Sequence, residues 1–597
     1  MSGDERRQAA VDAVDALLTG DPLNATKLTA VELQIYRSRK ISHGWRLTIG
    51  FLDEPRRLDV LTGPAFPREP VLVALVDRPP FLTWTHVEKD GVLCLLPSSA
   101  AIDHAAPAEV AASVLSDACE LIAEQLRGEG CEDFRREFLS YWGGSSEREN
   151  QAIWSLLRPE EPSRNFYYWP AKRFYLIGES IEQLTQWLVH YQPGIKVEPD
   201  KYLQGTLLWL PELPFPSDYP KQASDVRALA STLGCESLLD VHLNQEQTPL
   251  VVIGGESGVG PCFAATLILE PSHDRPPHKG ARSRIGDGYR TGRMPRDLLR
   301  TRCFGSNPVA RAIVDRADGE WVHGRGRDGR FAKIRNASVV VLGCGSLGSH
   351  LAIRLAEAGV ATIHLVDPQP LQWANVGRHA LSAHHIGRSK ADELAKMLRQ
   401  QYPHAKAFSG YRQTCEELLA SNSELLSGCD LIIAAMGDWG AEGALNAWHV
   451  EHGLAIPIIY AWSEAHAAAG HVVIIKDDAC LQCGFHNNGD PRFKVTAWDE
   501  GTTLQEPGCG AVFQPYGPVE FAHITALAAE AALDCLLDRA SPMHHRLWVG
   551  RKSLLDAAGG RWSNEFLETA ASRPLGGFIE ERLWPKDPTC SECAQLA

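Results

Sequence analysis

A glycine-rich turn between an apolar run and an amphipathic segment limits this chain more than any other feature. Gly343-Cys344-Gly345-Ser346-Leu347-Gly348 follows Val339 to Leu342 and leads directly into SHLAIRLAEAG. Glycines at this spacing allow a tight turn and bring backbone N–H groups against phosphate at a helix N-terminus. Asp367 ends the next apolar run, about 20 residues past the last glycine, where a carboxylate can accept hydrogen bonds from a ribose. The pattern defines a nucleotide site and leaves NAD and ATP both open. The segments ATIHLVD, SKADELAKMLRQQ, CDLIIAAMG and IPIIYAWS continue an alternation of short apolar strands and helices. That alternation is the signature of a parallel, doubly wound sheet.

The chain has 597 residues, room for about three to five domains. Its 59 Lys+Arg against 74 Asp+Glu give a net charge of −15. This acidic balance disfavours a protein built mainly to grip nucleic acid or an anionic membrane. No stretch reaches about 18 consecutive apolar residues, so no membrane span is expected. The start, MSGDERRQAAVDAVDALL, lacks the uninterrupted apolar core of a secretion signal, and a cytoplasmic location is expected. There, 15 cysteines serve more economically as core residues, metal ligands or nucleophiles than as a disulfide framework.

Composition divides the chain into three parts, together an α/β multidomain protein. Residues 1–148 start with a helix (Arg6 to Leu18), pass through extended segments such as WRLTIGFLD and PVLVALVD, and close on the helical AEVAASVLSDACELIAEQL, an α+β order. The charged, Gly-containing stretch from Trp142 to Asn150 reads as a linker. Residues 149–300, expected to form an α/β connecting domain, contain the β-like LVVIGG and FAATLIL and a loop-like Pro/Arg/Gly tract from Pro271 to Arg296. Their GGESGVG segment lacks the Gly-Lys-Ser/Thr ending of a P-loop and the last glycine of a nucleophile elbow, and reads as a turn. Residues 301–597 carry the doubly wound pattern.

Beyond Asp367 come Asn375-Val-Gly-Arg378-His379 and then Gly387-Arg388-Ser389-Lys390 at a helix start. With the glycine turn, this order resembles the E1-like adenylyltransferases: the ubiquitin-activating enzymes and the activators of sulfur carriers. The resemblance implies a Rossmann-like ThiF domain. In it Gly343, Gly345 and Gly348 form the phosphate turn, Asp367 holds the ATP ribose, Asn375, Arg378 and Lys390 surround the phosphates, and Asp438 helps hold Mg²⁺. Such residue types suit the chemistry, because carboxylate attack on an α-phosphate brings anions together and needs neutralising charge. Gln369 stands where the family commonly has an acid, and His379 where it has Gln. Arg325 or Arg327, in WVHGRGRDGR, are candidates for the arginine that family members supply across a dimer.

Cys480-Leu-Gln-Cys483 and Cys590-Ser-Glu-Cys593 match a closed Cys₄ Zn²⁺ site, an arrangement that sulfur-carrier activators share. Cys509, in the Gly/Pro-rich GTTLQEPGCGAVFQPYG, has no such partner. E1-like enzymes place a thioester-forming cysteine on a loop of this kind, a role that suits a thiolate.

The N-terminal part contains Thr83-Trp84-Thr85-His86-Val-Glu-Lys-Asp-Gly91-Val-Leu-Cys94-Leu95 after a proline-rich stretch. This resembles the ubiquitin-conjugating (UBC) E2 fold, with Cys94 as the acyl-accepting thiol and Trp84-Thr85-His86 where most E2 proteins have His-Pro-Asn. The combination resembles the E1/E2 fusion proteins of bacterial CBASS antiphage operons. That resemblance implies adenylation of a partner's C-terminal carboxylate, a thioester on Cys509, transfer to Cys94, and conjugation to an amine, expected to be a lysine. The implied partner is the C-terminus of a cGAS/DncV-like nucleotidyltransferase, with a ubiquitin-like protein as the alternative, and a homodimer is implied. Rival readings are a sulfur-carrier adenylyltransferase with an unrelated appendage, an NAD-binding oxidoreductase, and a silent nucleotide-sensing scaffold.

Overall fold

The computed structural model describes residues 3–96, 100–144, 152–244, 249–269, 293–476, 479–505, 512–539, 544–569 and 575–594. Three bodies follow one another along the chain.

In the first, the helix Gly3–Thr19 precedes an antiparallel sheet of β1 (Thr26–Lys27), β2 (His43–Gly50), β3 (Pro55–Thr62) and β4 (Leu72–Leu75), paired in that order. Trp45, Leu47, Leu58, Val60, Val73 and Leu75 project from these strands onto the helix Pro107–Leu126 and the first helix, where Val14, Leu18, Val114 and Ile122 complete one core. The side chains alternate along each strand, so one face of the sheet is apolar.

The second body is a closed β-barrel, ordered β10-β11-β5-β7-β6-β8-β9. Its strands are β5 (Ala152–Ser155), β6 (Arg164–Pro170), β7 (Phe174–Gly178), β8 (Leu203–Trp209), β9 (Leu250–Ser257), β10 (Gly260–Ile268) and β11 (Val309–Arg316). Closure removes exposed sheet edges, and Ile153, Phe166, Ile177, Leu207, Val252, Phe263 and Val314 fill the interior. β11 lies beyond residue 300, where the composition shift placed the domain boundary. A short strand followed by a helix-bearing segment carries no sign of which sheet it will close. The GGESGVG segment is the end of β9 and its turn into β10. Of the Pro/Arg/Gly tract, residues 270–292 lie outside the described residues, and Arg296 opens the helix Arg296–Cys303.

Trp142 does not begin a linker. It belongs to the helix Phe138–Gly144, is fully buried, and donates its indole N–H to the Ala312 carbonyl of β11 at 3.0 Å. Its ring packs edge-on against Tyr219 with centroids 4.9 Å apart, and Phe138 packs beside both. An indole with its N–H satisfied is stable in such a seam, so the linker expectation fails at residues 142–144, and residues 145–150 lie outside the described residues.

The third body is built on an eight-stranded sheet ordered β14-β13-β12-β15-β16-β17-β21-β23. β12 (Ser338–Leu342), β13 (Thr362–Val366), β14 (Ala407–Tyr411), β15 (Leu431–Ala434) and β16 (Ile458–Ser463) run parallel; β17 (Ala469–Ile475), β21 (His545–Arg551) and β23 (Gly576–Arg582) continue antiparallel. The sequence pattern omits β14, whose FSGY lacks a continuous apolar run. Two ribbons, β18 (Thr496–Trp498) with β22 (Gly560–Trp562) and β19 (Leu504–Gln505) with β20 (Val512–Phe513), lie outside this sheet. The chain crosses from β12 to β13 on one side and pairs β12 with β15 on the other. This reversal opens a crevice at the carboxyl end of β12, where doubly wound sheets bind ligands.

Candidate functional site: a nucleotide turn and a second, thiol-bearing groove

The glycine turn sits in that crevice. Gly343 adopts φ +88°, and a Cβ there would lie 2.6 Å from the Ala435 carbonyl; a Cβ at Gly348 would lie 1.8 Å from the Gly343 carbonyl. Both positions exclude a side chain through packing within the protein. Gly345, the N-cap of the helix Ser346–Ala358, differs: a Cβ would meet nothing within 4 Å. The space before this helix N-terminus is open, as a phosphate cradle requires.

Asp367 is buried behind the turn. Its Oδ2 accepts the Cys344 N–H at 2.8 Å and its Oδ1 accepts the Gln369 N–H at 2.8 Å. His379 is buried on the other side. Its Nδ1 accepts the Leu381 N–H at 2.9 Å, so its Nε2 carries the proton and donates to the Cys344 carbonyl at 2.7 Å. Burial lowers the His379 pKa to about 4, which keeps the ring neutral. The turn is thus fixed from below by two side chains, one of which, His379, the family pattern marked only as a departure.

Lys390, first residue of the helix Lys390–Gln401, is only 4% exposed and donates Nζ to Gln369 Oε1 at 2.8 Å. Gln369 therefore orients the ammonium without neutralising it. Arg378 lies with its guanidinium carbon 4.6 Å from the centroid of the Tyr516 ring, and the Tyr516 hydroxyl donates to Ser346 Oγ at 2.7 Å. Asn375 uses Oδ1 to accept the Gln372 N–H. Asp438 caps the helix Trp439–Glu451 through Oδ1, at 2.9 Å from the Ala441 N–H. The structure gathers Lys390, Gln369 and Asp367 at one end of β12 and β13, with Arg378 and Tyr516 at the helix start. Tyr516 and Ser346 are separated by 170 residues, and no local sequence signal links them. Arg325 and Arg327 are exposed on the loop after the helix Gly319–Val322.

Cys480, Cys483, Cys590 and Cys593 are all buried, and their sulfurs lie within 4.8 Å of one another. The Sγ distances are 3.7 Å for Cys480 to Cys590, 3.4 Å for Cys483 to Cys593 and 4.0 Å for Cys480 to Cys483. Tetrahedral Zn²⁺ with Zn–S near 2.3 Å spaces sulfurs about 3.8 Å apart, so this donor set fits the ion. The Trp584 indole N–H donates to the Cys480 carbonyl at 2.9 Å and helps join the two ends of the domain. Cys509 lies outside the described residues.

A separate groove of about 780 Å³ contains Cys94. The Cys94 thiol is exposed, whereas Cys344, Cys415 and Cys429 are buried. Its backbone N–H donates to the His86 carbonyl at 2.9 Å. His86 adopts φ +59°, a left-handed conformation costly for a side chain with a Cβ. It is held there because its N–H donates to the Tyr141 hydroxyl at 3.0 Å and its Nε2 lies 3.2 Å from Asp133 Oδ2. Behind it, Thr85 and Gln125 exchange two hydrogen bonds in the core. Burial, and then the Glu137 and Glu88 carboxylates, push the Cys94 thiol up, with Arg39 opposing.

Residues 323–553 match the ThiF family, and residues 21–152 match prokaryotic E2 family B. The chain is an E1-like adenylyltransferase fused to an E2-like domain, with a β-barrel between them. It is similar to the ATP-dependent ubiquitin transferase-like protein Cap2 of Pseudomonas aeruginosa, with 24% identity over 83% of this chain and 89% of the relative. Cap2 of Escherichia coli is 28% identical over 47% of this chain and 44% of its own length. Among solved structures, Escherichia coli MccB with ATP aligns with 44% of this chain and 69% of its own, at 19% identity and a TM-score of 0.30. ThiF-family adenylyltransferases use ATP and Mg²⁺. No helix among the described residues is long and apolar enough to cross a membrane.

Proposed function

We propose that this protein activates the C-terminal carboxylate of a partner protein with ATP, carries the acyl group first on Cys509 and then on Cys94, and joins it to a lysine amine. The observation that carries this reading is an exposed thiol in an E2-like groove on the same chain as an open glycine turn backed by Asp367 and Lys390.

In this reading the open face at Gly345 receives the triphosphate, Asp367 the ribose, and Lys390 and Arg378 the charge that develops as pyrophosphate departs. Asp438 would hold Mg²⁺, which supplies further charge neutralisation at the phosphates. Cys480, Cys483, Cys590 and Cys593 would hold a structural Zn²⁺, with no part in the chemistry. At the second site His86, fixed by Asp133 and Tyr141, stands where an E2 needs a donor for the thioester oxyanion. The similarity to Cap2 supports an ATP-dependent transferase. The partner is taken to be the tail of a cGAS/DncV-like nucleotidyltransferase in a CBASS operon, and the protein to act as a cytoplasmic homodimer.

Non-reducing gels of wild type, Cys509→Ala and Cys94→Ala, each incubated with ATP and the operon's neighbouring proteins, test this order. A Cys94 adduct that forms as well in Cys509→Ala as in wild type sinks the two-cysteine relay. The Cys₄ cluster also suits a sulfur-carrier adenylyltransferase, and that alternative requires Cys94→Ala to keep full activity.

A further inference from the structure

The groove around Cys94 is not made by the E2-like domain alone. The turn between β9 and β10 enters it from the barrel, and Ser257 and Val259 line the same space as Cys94, His86 and Glu137. The turn is fixed in place. The Gly258 N–H donates to the Arg136 carbonyl at 2.9 Å, and a Cβ on Gly258 would come within 3.0 Å of Arg136 Cβ. Ser257 Oγ donates to the Gly260 carbonyl at 2.7 Å and closes the turn on itself. Val259, at this anchored tip, is 57% exposed and lines the groove. The helix that follows Glu137 is joined to the barrel through Phe138 and Trp142, so the two walls meet across a packed seam.

The carboxylates of the groove are not equivalent. Glu88 and Asp90 both pair with Arg39, at 2.8 and 2.7 Å, and Asp133 pairs with Arg136 at 3.2 Å. Glu137 has no Arg or Lys in its ion pairs among the described residues; its partners are the Tyr141 hydroxyl and, at 3.9 Å, His86 Nδ1, and it is about half exposed. A carboxylate with no Arg or Lys to neutralise it raises the pKa of a thiol beside it and so works against a nucleophile. A cation arriving from outside would relieve that repulsion and satisfy the carboxylate.

We propose that Glu137 and the Ser257-Gly258-Val259 tip together form the acceptor site, in which Glu137 binds the incoming lysine ammonium and the tip packs against the lysine-bearing segment. This rests on the reading of Cys94 as an acyl carrier. Charge complementarity selects a cationic amine, and the barrel contributes part of the specificity of conjugation. In the step served, the ammonium sheds one proton to expose its lone pair, the C–N bond forms, and the thioester C–S bond breaks. Of the two protons the amine loses in all, one restores the Cys94 thiol and the other goes to solvent.

The test compares discharge of the charged protein onto a short acetylated peptide with one lysine and onto hydroxylamine, which is uncharged at neutral pH. Glu137→Gln is expected to slow discharge onto the lysine peptide about tenfold, the size of one lost charge-assisted hydrogen bond, through a higher half-saturating peptide concentration, and not to slow hydroxylamine discharge, which a lower Cys94 pKa can only favour. Val259→Arg should slow the peptide reaction and Val259→Glu should not, with hydroxylamine unaffected by either. A second measurement does not depend on charging: the lysine peptide, but not its acetyl-lysine counterpart, should protect Cys94 of the uncharged protein from iodoacetamide. Equal loss with both nucleophiles in Glu137→Gln, or wild-type behaviour of all three variants, overturns the proposal. Failure of the wild type to charge Cys94 while protection persists counts against the acyl-carrier reading and not against the acceptor site.

Discussion

The Trp142 indole N–H donates to the Ala312 carbonyl across 3.0 Å, which ties the last helix of the E2-like domain to the final strand of the barrel. The ring is fully buried, so Trp142→Ala should cost about 3–5 kcal/mol and Trp142→Phe, which keeps most of the ring, about 1 kcal/mol for the lost hydrogen bond. Urea denaturation followed by limited proteolysis checks both. Trp142→Ala is expected to expose the seam between the two bodies to cleavage before either body unfolds.

Tyr516 supports the nucleotide turn from the far side of the chain. Removal of its hydroxyl in Tyr516→Phe leaves Ser346 Oγ without the donor it now has at 2.7 Å, and the KM for ATP should rise about fivefold, equivalent to about 1 kcal/mol. Tyr516→Ala also removes the aromatic face under Arg378 and should raise it further. ATP–pyrophosphate exchange in the presence of the partner's C-terminal peptide measures the change.

Lys390 is almost completely buried, with Gln369 as its hydrogen-bond partner. Lys390→Ala should lower the rate of adenylation about 10²- to 10³-fold, as expected when a group that stabilises developing charge is removed. Gln369→Ala frees the ammonium to wander and should cost less. Exchange rates compared at saturating ATP separate the two.

Zinc analysis of purified protein should find one equivalent per chain. Cys593→Ser is expected to lose it and to melt at lower temperature, because metal binding at a closed thiolate site is coupled to folding. Cys429→Ser, which changes a buried cysteine far from the cluster in sequence, should keep the metal.

The Cys94 thiol is held above its ordinary range by burial, Glu137 and Glu88, with Arg39 acting the other way. Glu137→Gln removes a negative charge, lowers the thiol pKa, and should move the pH profile of iodoacetamide alkylation to lower pH. Arg39→Ala removes a positive charge and should move it to higher pH. Profiles that shift together in one direction would contradict this electrostatic account.

Much of the E1-like half was legible because its signals are local. A strand, a glycine turn and a helix follow one another within about 20 residues, and backbone geometry dictates which residues can occupy the turn. The E2-like sheet was legible for a similar reason: alternating apolar positions in WRLTIGFLD report one buried face. The barrel was not. Its order places β5 between β11 and β7, and pairings that distant leave no periodic trace in a single sequence. Trp142 beside charged residues and glycines read as a linker because burial depends on what the rest of the chain brings to it.

The sequence by itself determined the chemistry available: which residues can cradle phosphate, which cysteines come in C-x-x-C pairs, and which thiols have no such partner. Those properties belong to side chains at short spacing. Only the tertiary structure decided that Tyr516 holds Ser346, that His379 is a neutral donor to the turn, and that a barrel hairpin walls the Cys94 groove beside Glu137. Each of these is a contact between segments distant in the chain, and such contacts exist only once the apolar faces that carry those segments have been buried.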